Sequence, residues 1–232
     1  MTKIDPPKGW EPFRFYTRLN LVELTGRKAK NLKELVTYLK TASDSVIYHH
    51  THHFLAQHQS LTPEPPNDFV HWATVALNEV ELGEKLASIN TIEFSNLHDL
   101  RDKIVSSIES FLERSPGRLR EANEGQEFHF LKTVSFIFPT AYVAASLEEF
   151  ASVLEKVTID SLYFHMFEAR ISHAKGTNDF SLWLEKFLGE KELAKKIAGL
   201  DPYTNTIEEL RTKIIKLVKF QIEKNARSPA ES

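Results

Sequence analysis

The chain contains no cysteine, only eight glycines in 232 residues, no long apolar run and almost no net charge. Without cysteine there is no disulfide, no thiol nucleophile and no Cys-based zinc or iron–sulfur site. The formal net charge of −3, from 29 Lys and Arg against 32 Asp and Glu, leaves no basic excess of the kind that holds nucleic acid or anionic lipid. No window approaches the roughly eighteen apolar residues of a membrane span. Residues Met1 to Trp10, with Asp5, Pro6, Pro7 and Gly9, lack the apolar stretch of a signal peptide. A cytoplasmic protein with no nucleic-acid and no membrane partner is therefore expected. The glycines are scattered, and no phosphate-cradling loop, nucleophile elbow or kinase-type signature occurs.

What is present suffices for a core. Hydrophobic residues make up 41% of the chain and sixteen of the aromatics are Phe, so the chain is globular rather than disordered. These residues recur in a common order. Phe13-Arg-Phe15 lines up with Phe128-His-Phe130, and the same offset of 115 sets Thr25 on Thr140, Glu34 on Glu149, Tyr48 on Tyr163 and His50 on His165. After a shorter loop the offset becomes 111: Asn67-Asp68-Phe69-x-x-Trp72 matches Asn178-Asp179-Phe180-x-x-Trp183. Ten of the 24 positions from Asn67 to Asn90 are identical at that offset, where chance gives one or two on the order of magnitude. Shared helical periodicity would align Leu with Leu but would not reproduce that motif.

The expectation is a mainly α protein of two tandem helical copies, about five helices each, with room for a short strand opening each copy and a pseudo-twofold arrangement. The boundaries read as an N-terminal extension 1–12, a first unit 13–112, a polar linker 113–127 around Ser115-Pro116-Gly117, a second unit 128–222 and a disordered tail 223–232. Asn31-x-x-Glu34, Ser146-x-x-Glu149 and Thr206-x-x-Glu209 are capping boxes ahead of apolar runs. The Asn-Asp pairs at 67–68 and 178–179 cap a further helix in each unit. Phe13 to Leu24 is ambiguous between helix and strand, whereas Phe128, Phe130, Val134, Phe136 and Phe138 keep the even spacing of a strand.

Histidine supplies the candidates for chemistry. In His49-His50-Thr51-His52-His53, followed by His58 and His71, His49 and His53 are one helical turn apart and could chelate a transition metal, with Asp68 as a further ligand. The corresponding second stretch is Phe164-His165-Met166-Phe167-Glu168, where only the His50 position survives, and a partly solvated histidine face is the plainer reading. His50 and His165, each preceded two positions earlier by Tyr48 or Tyr163, form a candidate ligand-binding set with Glu168 and Arg170. A structural reading competes: a buried histidine donating to a backbone carbonyl. His165 and Glu168, one turn apart, also have the spacing of a general acid/base pair, while Asp179 either pairs with Arg170 or serves as a cap.

Phe13-x-Phe15 with Leu24-Thr-Gly26, Tyr48-x-His50, Pro65-Pro-Asn-Asp-Phe69, and Phe164-His165-Met-Phe-Glu-Ala-Arg170 with Asn178-Asp-Phe-Ser-x-Trp183 span nearly the whole chain. In these the chain resembles an uncharacterised bacterial family, a domain of unknown function. The resemblance implies that the doubled layout is a family trait and implies no activity. The function expected is a non-catalytic cytoplasmic module binding a protein or small ligand at a groove between its halves, with no cofactor. The alternatives are a metal-binding protein using His49 and His53 and an acid/base enzyme using His165 and Glu168.

Overall fold

A computed structural model of the chain describes residues 9–53, 67–94, 96–114, 117, 119–168, 177–200 and 205–227. Strand β1 (Phe13–Ala29) is followed by α1 (Leu32–Leu39), α2 (Asp44–Tyr48), α3 (Asp68–His71), α4 (Val80–Ala87) and α5 (Leu97–Arg114). Strand β2 (Phe128–Ala144) is followed by α6 (Leu147–Leu154), α7 (Ile159–Tyr163), α8 (Asp179–Leu188), α9 (Lys191–Ala198) and α10 (Ile207–Arg227). Helices α2, α3 and α7 run on into π-helical turns at His49–His53, Trp72–Ala76 and Phe164–Glu168.

The two strands pair in a two-stranded sheet. Thr25 Oγ1 donates to the Phe130 carbonyl at 2.7 Å, Ser135 Oγ to Asn20 Oδ1 at 2.7 Å, and Thr140 Oγ1 to the Phe15 carbonyl at 2.8 Å. The β2 position falls as the β1 position rises, so the pairing is antiparallel. The expectation of a mainly α protein built from two tandem helical copies in a pseudo-twofold arrangement is therefore corrected to a mixed α/β fold with two strands of 17 residues each. Burial explains why Phe13 to Leu24 was ambiguous between strand and helix. Only the ends of each strand are buried, at Phe13, Phe15, Arg18 and Ala29 and at Phe128, Phe130, Thr133 and Ala144. The middle exposes both faces, with Leu19, Leu21, Val22 and Leu24 all open, so no period-two alternation persists to mark it.

The compact units also divide the chain elsewhere than at a linker. Unit 1 comprises Met1–Leu19 with Ile137–Ser232, and unit 2 is Asn20–Phe136, so each strand is shared between the units. Of the described residues in 113–127, Arg114 belongs to α5, the Ala122 N–H donates to the Lys30 carbonyl at 2.7 Å, and the Arg120 guanidinium binds the Leu77 and Asn78 carbonyls.

Within unit 2, Leu35 and Leu39 of α1, Ile47 of α2, Phe69 of α3, Leu82 of α4 and Ile108 of α5 form the apolar centre. Within unit 1 the corresponding parts bury Phe15, Phe150, Leu154, Phe180, Leu184 and Ile214. Caps start these helices where the sequence places them. Asn31 Oδ1 accepts the Glu34 N–H, and the Glu34 carboxylate takes the Lys30 N–H at 2.8 Å. Ser146 with Glu149 and Thr206 with Glu209 do the same, each worth about 1 kcal/mol. Helix α8 ends on Gly189 at φ +71°, and the equivalent turn of unit 2 holds Asn78 at φ +52°. Among the described residues, no helix is long and apolar enough to cross a membrane.

Candidate functional site

In each unit one histidine bridges a helix start and a strand. His165, on the π-helical turn after α7, faces Asp179 across 3.0 Å through Nδ1 and accepts the Tyr16 backbone N–H on Nε2 at 2.8 Å. His50 repeats this in unit 2, with Asp68 at 2.7 Å from Nδ1 and the Leu131 N–H at 3.0 Å from Nε2. Because a backbone N–H can only donate, Nε2 must be the acceptor, and Nδ1 carries the proton given to the carboxylate. Both rings are 2% exposed and packed among aromatics: Phe13, Phe15, Phe164 and Phe180 around His165, and Phe69, Phe128, Phe130 and His49 around His50.

The motif Asn-Asp-Phe thus divides its labour. Asn67 and Asn178 cap their helices, accepting the Val70 and Ser181 N–H groups, while the next residue anchors the histidine. Asp179 therefore pairs with His165, and the alternative partner Arg170 lies outside the described residues. Sequence reasoning treated the acid as a second capping group. The signal that could have found the pairing was that His and Asp occur together in both stretches although the loop between them differs in length.

Glu168 is not presented to solvent as an acid/base partner would be. It is buried and forms an ion pair with Arg18 at 2.7 Å, while the Arg18 guanidinium lies 4.4 Å above the Tyr163 ring. Burial pushes the Tyr163 phenol up, far from any role as a proton donor at neutral pH. Tyr48 is likewise buried, stacked parallel to His52 with centroids 5.9 Å apart.

The predicted chelating set is only partly assembled. His49 meets Thr133 Oγ1 at 2.8 Å, and His52 meets Thr51 Oγ1 at 2.8 Å. Burial lowers His52 to about 4, so it stays neutral. His71 is exposed on α3, His58 lies outside the described residues, and the side chain of His53 does too. The donors that do approach are those of His49, His50 and Asp68, within 4.8 Å of one another. Their chemistry fits a metal poorly. A cation on Nδ1 of His50 would displace the shared proton, and the Leu131 N–H already holds Nε2, leaving the ring to bind as an imidazolate.

A cleft of about 410 Å³ opens elsewhere in unit 2, lined by Glu23, Arg27, Tyr38, Thr41, Phe130 and Lys132 among others. Tyr38 and Phe130 form an edge-to-face aromatic floor with centroids 5.5 Å apart. Arg27 lies 5.9 Å over the Tyr38 ring and donates to Thr41 Oγ1, and Lys132 pairs with Glu23 at 2.7 Å. No candidate site residue from the sequence falls here, because nothing in the linear pattern joins these three segments. A second cleft, of about 340 Å³ in unit 1, is lined by Glu185, Lys191, Glu192 and Lys195 with no aromatic side chain.

A family model described as "Family of unknown function (DUF5752)" matches residues 10–219. The chain belongs to this family. DUF5752 thus covers both strands and both histidine–aspartate pairs. The solved structure of OrfY from Thermoproteus tenax resembles this DUF5752 chain with a TM-score of 0.78 and 28% identity, over 90% of this chain and 95% of its own. The comparison with curated proteins gives no match.

Proposed function

We propose that the chain is a non-catalytic cytoplasmic binding module whose small ligand is held in the cleft of unit 2, rather than in a groove between the two halves. One observation carries this reading. Each strand is followed by five α-helices among the described residues, yet the cleft's distinctive side chains occur in unit 2 alone. At the offset of 115, Glu23, Arg27, Tyr38 and Lys132 correspond to Phe138, Tyr142, Val153 and Thr17. The groups that the fold requires are retained on both sides: Thr25 and Thr140 each bind the opposite strand, and Phe130 and Phe15 are each buried. The charges and the Tyr38 ring are thus additions that the scaffold does not need. The volume falls in the range of small-molecule sites, about 300–1,000 Å³.

The buried histidines support the non-catalytic part of the reading, since both nitrogens of His50 and of His165 are committed to Asp and backbone partners. The test is a screen of small organic probes on the intact chain, followed by amide chemical shifts. Hits should gather on Thr25, Arg27, Thr41 and Ser43. Hits gathering elsewhere, or a screen with none, would contradict the reading.

A further inference from the structure

We infer that the ligand of the unit 2 cleft is a planar ring bearing a carboxylate; this rests on the binding reading above and names its chemistry. The floor comes first. Tyr38 and Phe130 meet edge to face, with Val46 and Leu24 beside them, which gives a ligand ring an apolar and aromatic lining. The Tyr38 hydroxyl makes no hydrogen bond among the described residues, and Tyr38 lines the cleft.

The charge comes second. Arg27 spends one donor, from Nη1 to Thr41 Oγ1 at 3.2 Å, and among the described residues its other guanidinium donors are unspent. That remaining fork matches the two oxygens of a carboxylate, a geometry that an ammonium group lacks. Thr41 in turn donates to the Tyr38 carbonyl, so the contact that holds the guanidinium at the cleft is itself fixed. Glu23 and Lys132 neutralise each other at 2.7 Å, which leaves Arg27 as the net charge of the lining. A cationic ligand would meet that charge unfavourably, and a neutral one would leave the fork unused.

The backbone at this corner is built to carry the arginine there. Gly26 takes φ +74°, and the Arg27 N–H donates to Thr25 Oγ1 at 3.2 Å, so the strand kinks at Thr25-Gly26-Arg27 while Thr25 still holds the Phe130 carbonyl. In unit 1 the Tyr142 N–H likewise meets Thr140 Oγ1 at 3.1 Å, but Ala141 stands in place of Gly26 without a positive φ, and a tyrosine follows it instead of an arginine.

The experiment titrates the intact, isotope-labelled chain with 2-naphthoate and, separately, with the neutral 2-naphthamide. The acid is expected to give saturable shifts at Thr25, Arg27, Thr41 and Ser43 and to bind about tenfold more tightly than the amide. Arg27→Gln should abolish that preference, bringing the acid's affinity down to that of the amide. Tyr38→Val, which installs the residue unit 1 carries at this position, should weaken both probes together. Shifts at these amides with equal affinity for acid and amide, or an acid preference surviving in Arg27→Gln, would overturn the carboxylate assignment and leave the cleft standing. Absence of saturable shifts there with either probe would overturn the cleft itself. Arg27 is exposed, so Arg27→Gln keeps the fold, and an unchanged amide spectrum away from the cleft verifies this.

Discussion

His50 and Asp68 stand 18 residues apart in the chain and 2.7 Å apart in space, and the far nitrogen of the same imidazole holds the backbone of β2 at Leu131. One side chain therefore ties the π-helical turn after α2, the first turn of α3 and a strand. Replacing His50 with Ala removes a buried ring and orphans the Leu131 N–H. The combined cavity and hydrogen-bond cost is about 3–5 kcal/mol, read as a lower urea midpoint. Asp68→Asn keeps an acceptor for the Nδ1 proton and should cost only about 1 kcal/mol. Equal losses from the two would contradict the latch.

The Arg18–Glu168 pair of unit 1 is buried, with side chains 1% and 7% exposed. Glu168→Gln leaves the guanidinium without its counter-charge and should cost about 3–5 kcal/mol in equilibrium unfolding. The double change Arg18→Met with Glu168→Leu should recover most of that loss, because it removes both charges from the interior. A double variant as unstable as the single one would show that the pair does more than neutralise itself.

Stability should depend on pH through His52. Its folded value is about 4 against an ordinary 6.5, because burial disfavours the charged ring. The unfolded chain therefore takes up the proton first as pH falls. The stabilisation is complete above pH 6.5, declines between 6.5 and 4, and is gone below that, a total of about 3 kcal/mol. His52→Phe preserves the stack on Tyr48 and should flatten this part of the unfolding profile. A variant profile parallel to that of the native chain would assign the acid sensitivity to other groups.

Two equivalent turns give opposite predictions. Gly189 sits at φ +71° with open space around it, so Gly189→Ala costs backbone strain alone, about 1 kcal/mol. Asn78, at φ +52°, already tolerates the left-handed region, and Asn78→Gly should change stability by no more than about 0.5 kcal/mol. Thermal unfolding of the two variants side by side checks both.

The helix starts were legible because a cap is a local device: a side chain three residues from the amide it binds needs no tertiary information. Asn31, Ser146, Asn67, Asn178 and Thr206 accordingly sit where the pattern places them. The strands were legible only in part: the even spacing of Phe128 to Phe138 marked β2, whereas β1 exposes both faces at Leu19, Leu21, Val22 and Leu24, which erases the alternation that marks a half-buried strand. The matching of His50 with His165 paired two rings that are buried alike, but each accepts a backbone N–H and donates to a carboxylate rather than to a backbone carbonyl. Their acid partners were hidden by loops of different length, and Arg18 by its distance in sequence from Glu168. The cleft was invisible, because Glu23, Tyr38 and Lys132 share no motif and are collected only by the antiparallel register and the end of α1.

The imidazole nitrogens report most directly on whether these histidines are structural ties or chemical groups. Nitrogen-15 spectra of the histidine side chains at pH 8 should show His50 and His165 with the proton on Nδ1 and an acceptor nitrogen at Nε2, unchanged when zinc is added. A proton on Nε2 of either ring, or a zinc-dependent shift of the His50 nitrogens, would contradict the account.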